Sequence, residues 1–417
     1  MPSTFRHAQL TNGLTVIAEC DPGAHTAAAG FFVKTGARDE APEVMGVSHF
    51  LEHMMFKGTP TRSADDVNRE FDEMGARANA YTSGEMTVFY ASVLPEFLPR
   101  ATALLADMMR PALRDEDFTT EKGVILEEIA MYKDEPVWVL HDALMERHFA
   151  GSALGHRVLG TTETITDLRV EQMRRYFADR YSADNTTLAL AGRVDFDRAV
   201  EQAQALCGQW GATRPARDHT TPAIAGQDAF VLRDERVSRA YRMSVAPGPG
   251  SDDELRYPAF VAAQVLGGAD NSRFHWALIE PGIAEEAELS VEPMDGLGLS
   301  RMMLVTEPAS IDQAWDVALR QVRELAGSLT AQDVEIIRGK LATGVTVAGE
   351  RPEGRMHRLG RQWLYQGRYT TLEHELQRVS EVTVAQVRAF LDQYPLLPVT
   401  TGTLLPGEGA PERTQEG

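Results

Sequence analysis

The chain has 417 residues, and 61 acidic against 41 basic side chains give it a formal charge of −20, a balance that repels nucleic-acid phosphates and argues against such a partner. Its 43% hydrophobic content is ordinary for a globular protein, its length exceeds one typical core, and it holds no apolar run of about 18 residues that would span a bilayer. Two cysteines, Cys20 and Cys207, supply neither a disulfide framework nor a Cys-based metal spacing. The opening Met1-Pro2-Ser3-Thr4-Phe5-Arg6-His7 lacks the apolar core of a signal peptide, so a cytoplasmic location is the expectation.

In chain order, residues 14–18 and 27–33 read as strands, and Gly36-Ala37-Arg38-Asp39-Glu40 reads as a turn leading to a helix around His49-Phe50-Leu51-Glu52-His53. Asn79-Ala80-Tyr81-Thr82 and residues 87–91 read as two more strands, and residues 121–129 have the apolar spacing of a buried helix. His141 and His148 fall two turns apart on a further helix and His156 follows a Gly-rich turn; none has an i, i+4 histidine partner, so packing or surface roles are expected. Residues 212–227, with two Pro, a Gly and polar residues, read as a linker. Beyond it, strands at 229–232 and 240–245, a turn at Gly250-Ser251-Asp252-Asp253-Glu254 and a helix at 257–266 repeat the opening order of elements. The tail at 406–417, rich in Gly, Pro and charge, is expected to be disordered.

The densest chemistry lies at residues 49–53. His49 and His53 are one helical turn apart, so both imidazoles can face one ion, with Glu52 immediately before the second. This order inverts the commoner His-Glu-x-x-His motif. Glu121 and Glu128, seven residues apart, share a helix face and offer a carboxylate as third ligand. Two His and one Glu leave the fourth tetrahedral position of zinc for water, and Glu52 is placed to act as general base. Manganese or cobalt would suit the same ligands.

With Gly46-Val47-Ser48 before the motif, Met54-Met55-Phe56-Lys57-Gly58-Thr59 after it, Asn79-Ala80-Tyr81-Thr82-Ser83, Val124-Ile125-Leu126-Glu127-Glu128-Ile129 and Asp134-Glu135-Pro136, the chain resembles pitrilysin/insulinase-type metallopeptidases. The likeness is to the short form that includes the mitochondrial processing peptidase beta subunit and bacterial zinc proteases, and it is densest over residues 10–165. The resemblance implies that His49, His53 and Glu128 bind zinc, that Glu52 is the general base and that Glu121 steadies the site from behind the ligands. It implies an α+β fold of two homologous halves, each a largely antiparallel sheet packed with helices, an architecture also favoured by the irregular alternation of strands and helices. It further implies that an edge strand near Asn79, Ala80 and Tyr81 pairs with the substrate backbone.

The expected organisation is a zinc-binding domain at 1–212, a linker at 213–227, and a homologous domain at 228–405. Superposing the two turns places Ala263, Leu266 and Gly267 where His49, Glu52 and His53 stand, so the second half carries no ligand set. One departure from the family bears on mechanism. Active relatives draw an Arg and a Tyr from the C-terminal half to hold the substrate and polarise its carbonyl. Here the loop 266–273 retains Arg273, but the tyrosine position is Glu285, and Pro281 accompanies a one-residue deletion. An ionised carboxylate cannot donate to an oxyanion. The reading is therefore a zinc endopeptidase of peptides or unfolded polypeptides, acting in a closed dimeric chamber as the zinc-bearing subunit of a heterodimer whose related partner supplies Arg and Tyr. A homodimeric peptidase and a non-catalytic scaffold subunit are the alternatives.

Overall fold

The computed structural model describes residues 3–220, 227–268 and 270–407. Part of the expected linker at 213–227 and most of the expected tail at 406–417 lie outside these residues.

Two sheets organise the chain. The first contains β1 (Thr4–Gln9), β2 (Thr15–Cys20), β3 (Ala27–Val33), β4 (Arg77–Thr82), β5 (Thr87–Val93) and β6 (Thr186–Gly192), in lateral order β1-β2-β6-β3-β5-β4. The second contains β7 (Asp228–Asp234), β8 (Ala240–Gly248), β9 (Glu286–Pro293), β10 (Gly298–Thr306) and β11 (Thr400–Pro406), in order β7-β11-β8-β10-β9. Without β1, the first order maps onto the second strand by strand. Both sheets have a single parallel pairing at the same place, β2 with β6 and β7 with β11, and are otherwise antiparallel. The expected α+β architecture of two homologous halves is the one observed.

The strands form where the sequence alternates or runs apolar. β3 and β6 sit centrally and are buried along their whole length, which suits their Ala, Phe, Leu and Val content. One face of the first sheet carries the helix Val47–Met55, which sinks Phe50, Leu51, Met54 and Met55 into a cluster with Phe31 and Phe89. Full burial of each such side chain stabilises the fold by about 1.5–3 kcal/mol. The opposite face carries Met356, Leu359 and Leu364 of the helix Pro352–Gln366, packed on Ile17, Phe32 and Val88.

That second helix comes from late in the chain. The compact units are discontinuous: one comprises 1–129, 152–218 and 345–372, the other 130–151, 219–344 and 373–417. Helix Pro136–His148 packs on β8 and β11 of the second sheet, and helix Pro352–Gln366 packs on β2, β3 and β6 of the first. Each half of the sequence thus lends one helix to the other sheet. A linear division at 213–227 follows the sequence halves, and at these two helices the packing does not follow it.

Candidate active site

His49, Glu52 and His53 lie on the helix Val47–Met55, and Glu121 and Glu128 on the helix Asp115–Tyr132. The first helix begins at Gly46, whose φ of 93° lies in the left-handed region and where a Cβ would stand 2.6 Å from the Leu159 carbonyl oxygen. Its first turn has no capping side chain of its own. Glu40 serves instead: the fully enclosed carboxylate accepts the N–H groups of Gly46 and Ser48, each at 2.7 Å. A carboxylate at a helix N-terminus answers orphan donors and the positive end of the dipole. Burial nevertheless pushes Glu40 up to about 8, against the pull of those two donors. Tyr176 braces the same turn through Ser48, 2.7 Å from its hydroxyl.

The imidazoles and the carboxylate of Glu128 converge. His49 Nε2 lies 3.6 Å from Glu128 Oε1, and His53 Nε2 lies 3.6 Å from Glu128 Oε2. These separations are too long for hydrogen bonds. They are close to the spacing of about 3.4 Å between ligand atoms around a tetrahedral ion with bonds of about 2.1 Å. Among the described residues these three form the group of His, Cys, Asp and Glu able to hold a metal ion, and the geometry fits one.

The protonation state of His49 favours the same role. Burial, aided by the charge of His53, pushes His49 down to about 4, so it is neutral and free to ligate at pH 7. Burial also opposes charge on His53, but the hydrogen bond to Glu121 and the charges of Glu128, Glu121 and Glu52 outweigh it and raise its pKa. His53 Nδ1 is 2.8 Å from Glu121 Oε1. With Nδ1–H donating there, Nε2 presents its lone pair toward Glu128 and the ion position. Glu121 is itself buried and held below the usual carboxylate range, because the hydrogen bond with His53 and the charge of Lys57 overcome the cost of burial. Burial raises Glu128.

Glu52 stands apart. Its Oε2 accepts the Thr82 hydroxyl at 2.7 Å. Burial raises the Glu52 pKa, partly opposed by Thr82 and by the charge of His53.

Thr82 ends β4, the open edge of the first sheet, which pairs on one side only with β5. Ser83 N–H donates to Met86 O at 2.9 Å and closes the β4–β5 hairpin. Counting back in alternate residues, Tyr81, Asn79 and Arg77 exchange hydrogen bonds with β5, while the main-chain groups of Ala78, Ala80 and Thr82 face the open edge. The side chains split as well. Thr82 and Ala80 lie on the face of Glu52, whereas Tyr81 lies on the other face, its ring 5.9 Å from that of His357. Asn79 turns its Oδ1 to accept the Ala80 N–H at 2.9 Å.

In the second unit, helix Arg256–Gly267 is the counterpart of the motif helix. Ala263 and Leu266 are buried there, and a Cβ at Gly267 would collide with the backbone of Leu289 on β9, so no imidazole fits. Arg273 is engaged locally, with Ser328 Oγ at 2.5 Å and Asp333 at 3.6 Å. Glu285 pairs with Arg239 at 2.6 Å. Ala269 in the preceding loop lies outside the described residues. Three other histidines take local partners: His148 is buried with Nδ1 2.9 Å from Thr400 Oγ1, His141 lies 3.5 Å from Asp142, and His156 faces the Ala37 carbonyl at 3.2 Å.

The insulinase family (peptidase family M16) matches residues 15–162, and the peptidase M16 inactive domain matches residues 167–341. An uncharacterized zinc protease of Streptomyces coelicolor is 32% identical over 93% of this chain and 86% of its own length. The chain belongs to the M16 peptidase family. Another relative, an uncharacterized zinc protease of Bacillus subtilis, is 29% identical over 92% of this chain and 93% of its own. The fold recurs in a protease from Helicobacter pylori, at a TM-score of 0.90 and 18% identity over 97% of this chain and all of that one. It recurs too in a chain of complex III2 from Candida albicans, at 0.84 and 18% identity over 96% and 95%. With relatives named zinc proteases and a His-His-Glu group able to hold a metal, zinc is the cofactor of the M16 site.

Three residues of the M16 site escaped the sequence reading: Glu40, Lys57 and Thr82. Lys57 carried a signal, four positions after His53 and so one turn on. Glu40 and Thr82 act across gaps of six and thirty residues with no spacing rule to announce them.

Proposed function

We propose that this M16 chain is a zinc-dependent endopeptidase in which His49, His53 and Glu128 hold the ion and Glu52 is the general base. The observation that carries the reading is the convergence of three ligand atoms beside a half-buried carboxylate that, among the described residues, has no Lys or Arg partner and is aimed by Thr82. Zinc bound there supplies Lewis acidity, acidifying water near neutral pH and polarising a peptide carbonyl. Glu52 takes a proton from the attacking water and passes it to the leaving amine. Glu121 holds the His53 ring in the ligating tautomer. The open main chain of Ala78, Ala80 and Thr82 pairs with an extended peptide, which brings the scissile bond to Glu52 and tolerates varied side chains. For that pairing, Asn79 Oδ1 gives up the Ala80 N–H.

We further infer that the chain works as the zinc-bearing subunit of a heterodimer enclosing unfolded peptides. Two observations support this: Arg273 is committed to Ser328 and Asp333, and Glu285, paired with Arg239, occupies the position of a donor. Losing one oxyanion donor costs roughly 10²–10³ in rate, and a related partner bearing Arg and Tyr would restore it.

The test is cleavage of an extended quenched peptide by the zinc-loaded chain, alone and with its partner from the native source, beside Glu52→Gln. Expected are one zinc per chain for both proteins, turnover dependent on the partner and lost in Glu52→Gln. Full turnover by the chain alone would sink the heterodimer and leave the peptidase. Cleavage unchanged in Glu52→Gln would sink the assigned chemistry.

A further inference from the structure

We infer that Lys57 is a positioning residue of the metal centre, acting through Glu121 on His53. The inference rests on the zinc reading above and concerns what sets the strength of that site.

Glu121 is 3% exposed, one of its oxygens in a hydrogen bond and the other in an ion pair. Oε1 lies 2.8 Å from His53 Nδ1 and Oε2 lies 2.5 Å from Lys57 Nζ. Lys57 is the one Lys or Arg paired with Glu121 among the described residues. Its backbone is pinned on both sides of the site. Its N–H donates to Met54 O at 3.2 Å, extending the last turn of the motif helix, and its carbonyl accepts Arg114 Nη1 at 3.2 Å, just before the helix that bears Glu121 and Glu128. The ammonium therefore bridges the two helices that carry the ligands.

What Glu121 needs from Lys57 depends on the state of His53 as a ligand. A His that ligates through Nε2 is neutral, so it offers Glu121 an N–H dipole and no full charge. A buried carboxylate needs a charge partner, and Lys57 supplies it. With that partner in place Glu121 stays turned toward His53 and fixes both tautomer and ring plane. His49 has no such support, since its Nδ1 is buried without a hydrogen-bond partner. The precision of the pair thus depends on His53, and through Glu121 on Lys57.

The experiment measures zinc affinity of the full chain by competition with a chromophoric chelator, together with the absorption spectrum of the cobalt-loaded protein. The proteins are wild type, Lys57→Met, Lys57→Arg, Glu121→Gln and the Lys57→Met/Glu121→Gln double variant. Disturbing a partner behind a metal ligand weakens binding about 10–100-fold, and that loss, with a changed cobalt spectrum, is expected for Lys57→Met. Lys57→Arg, which keeps the charge, should fall within about threefold of wild type. The double variant should bind no more weakly than Glu121→Gln alone, because the two act in series. Unaltered affinity in Lys57→Met, or losses that add in full, would overturn the inference while leaving the zinc site intact. A wild-type chain that takes up no zinc would overturn the functional reading and this one together. Thermal unfolding of the metal-free proteins monitors the fold, and Lys57→Gln replaces the Met variant if that one does not fold.

Discussion

Three carboxylates surround the ion position, and what touches each separates their tasks. Glu128 faces two imidazoles, Glu121 is clamped between His53 and Lys57, and Glu52, among the described residues, is hydrogen-bonded only by the hydroxyl of Thr82. A base should be aimed without being neutralised, and a hydroxyl achieves that. Thr82→Val, which keeps the β-branched shape, is expected to lower kcat/KM about tenfold with zinc affinity unchanged, the size of one hydrogen bond to a charged group. Loss of zinc in that variant would show that Thr82 shapes the ligands instead. Away from the site, His148 gives a pH signature. Burial pushes it down to about 4 from an ordinary 6.5, so between those values the unfolded chain binds more protons than the folded one. Its contribution to stability is complete above about 6.5 and lost as pH falls toward 4, on the order of 3 kcal/mol in all. Urea unfolding of wild type and His148→Gln at pH 7.5 and 5 should show the smaller acid loss in the variant. Equal losses would contradict the assignment. At this scale the sequence exposed the residues with a period, His49 with His53 and Glu121 with Glu128. Glu40 and Thr82 were hidden because a cap six residues away and a contact thirty residues away follow from the turn and the hairpin, which only the folded chain defines.

Elements were easier to read than their use. The strands anticipated at 27–33, 79–82 and 240–245 and the helix at 257–266 are present with small changes in their bounds, because apolar runs and turn residues bracket them. Sequence could also suggest that residues 79–81 lie on an edge. It could not say which atoms face outward, since that depends on the phase set by the Ser83–Met86 hairpin closure. The phase leads to a sharp expectation. Peptides N-methylated at successive positions should lose affinity for the Glu52→Gln protein at alternate residues only, about tenfold at each position whose N–H would reach the carbonyl of Ala78 or Ala80. Binding that declines evenly along the peptide, or not at all, would exclude pairing to β4.

For the whole molecule, duplication was legible and exchange was not. The repeated strand order is written locally, in turns that resemble each other. The crossing of helices 136–148 and 352–366 is a long-range choice made by apolar faces, such as Met356, Leu359 and Leu364, that would suit more than one sheet. A fragment of residues 1–220 contains His49, Glu52, His53, Glu121 and Glu128, yet leaves Ile17, Phe32 and Val88 uncovered on the back of the sheet. It is expected to aggregate or to bind zinc weakly, and to recover when co-expressed with residues 221–417, as read by soluble yield and zinc content. A fragment that is soluble and fully metallated alone would show the late helix to be dispensable.

The exchange also orders events in time. On the ribosome the sheet beneath the proposed zinc ligands waits for residues 345–372, so those ligands are translated long before their platform is sealed. On the reading proposed above, this schedule postpones activity until synthesis is nearly complete.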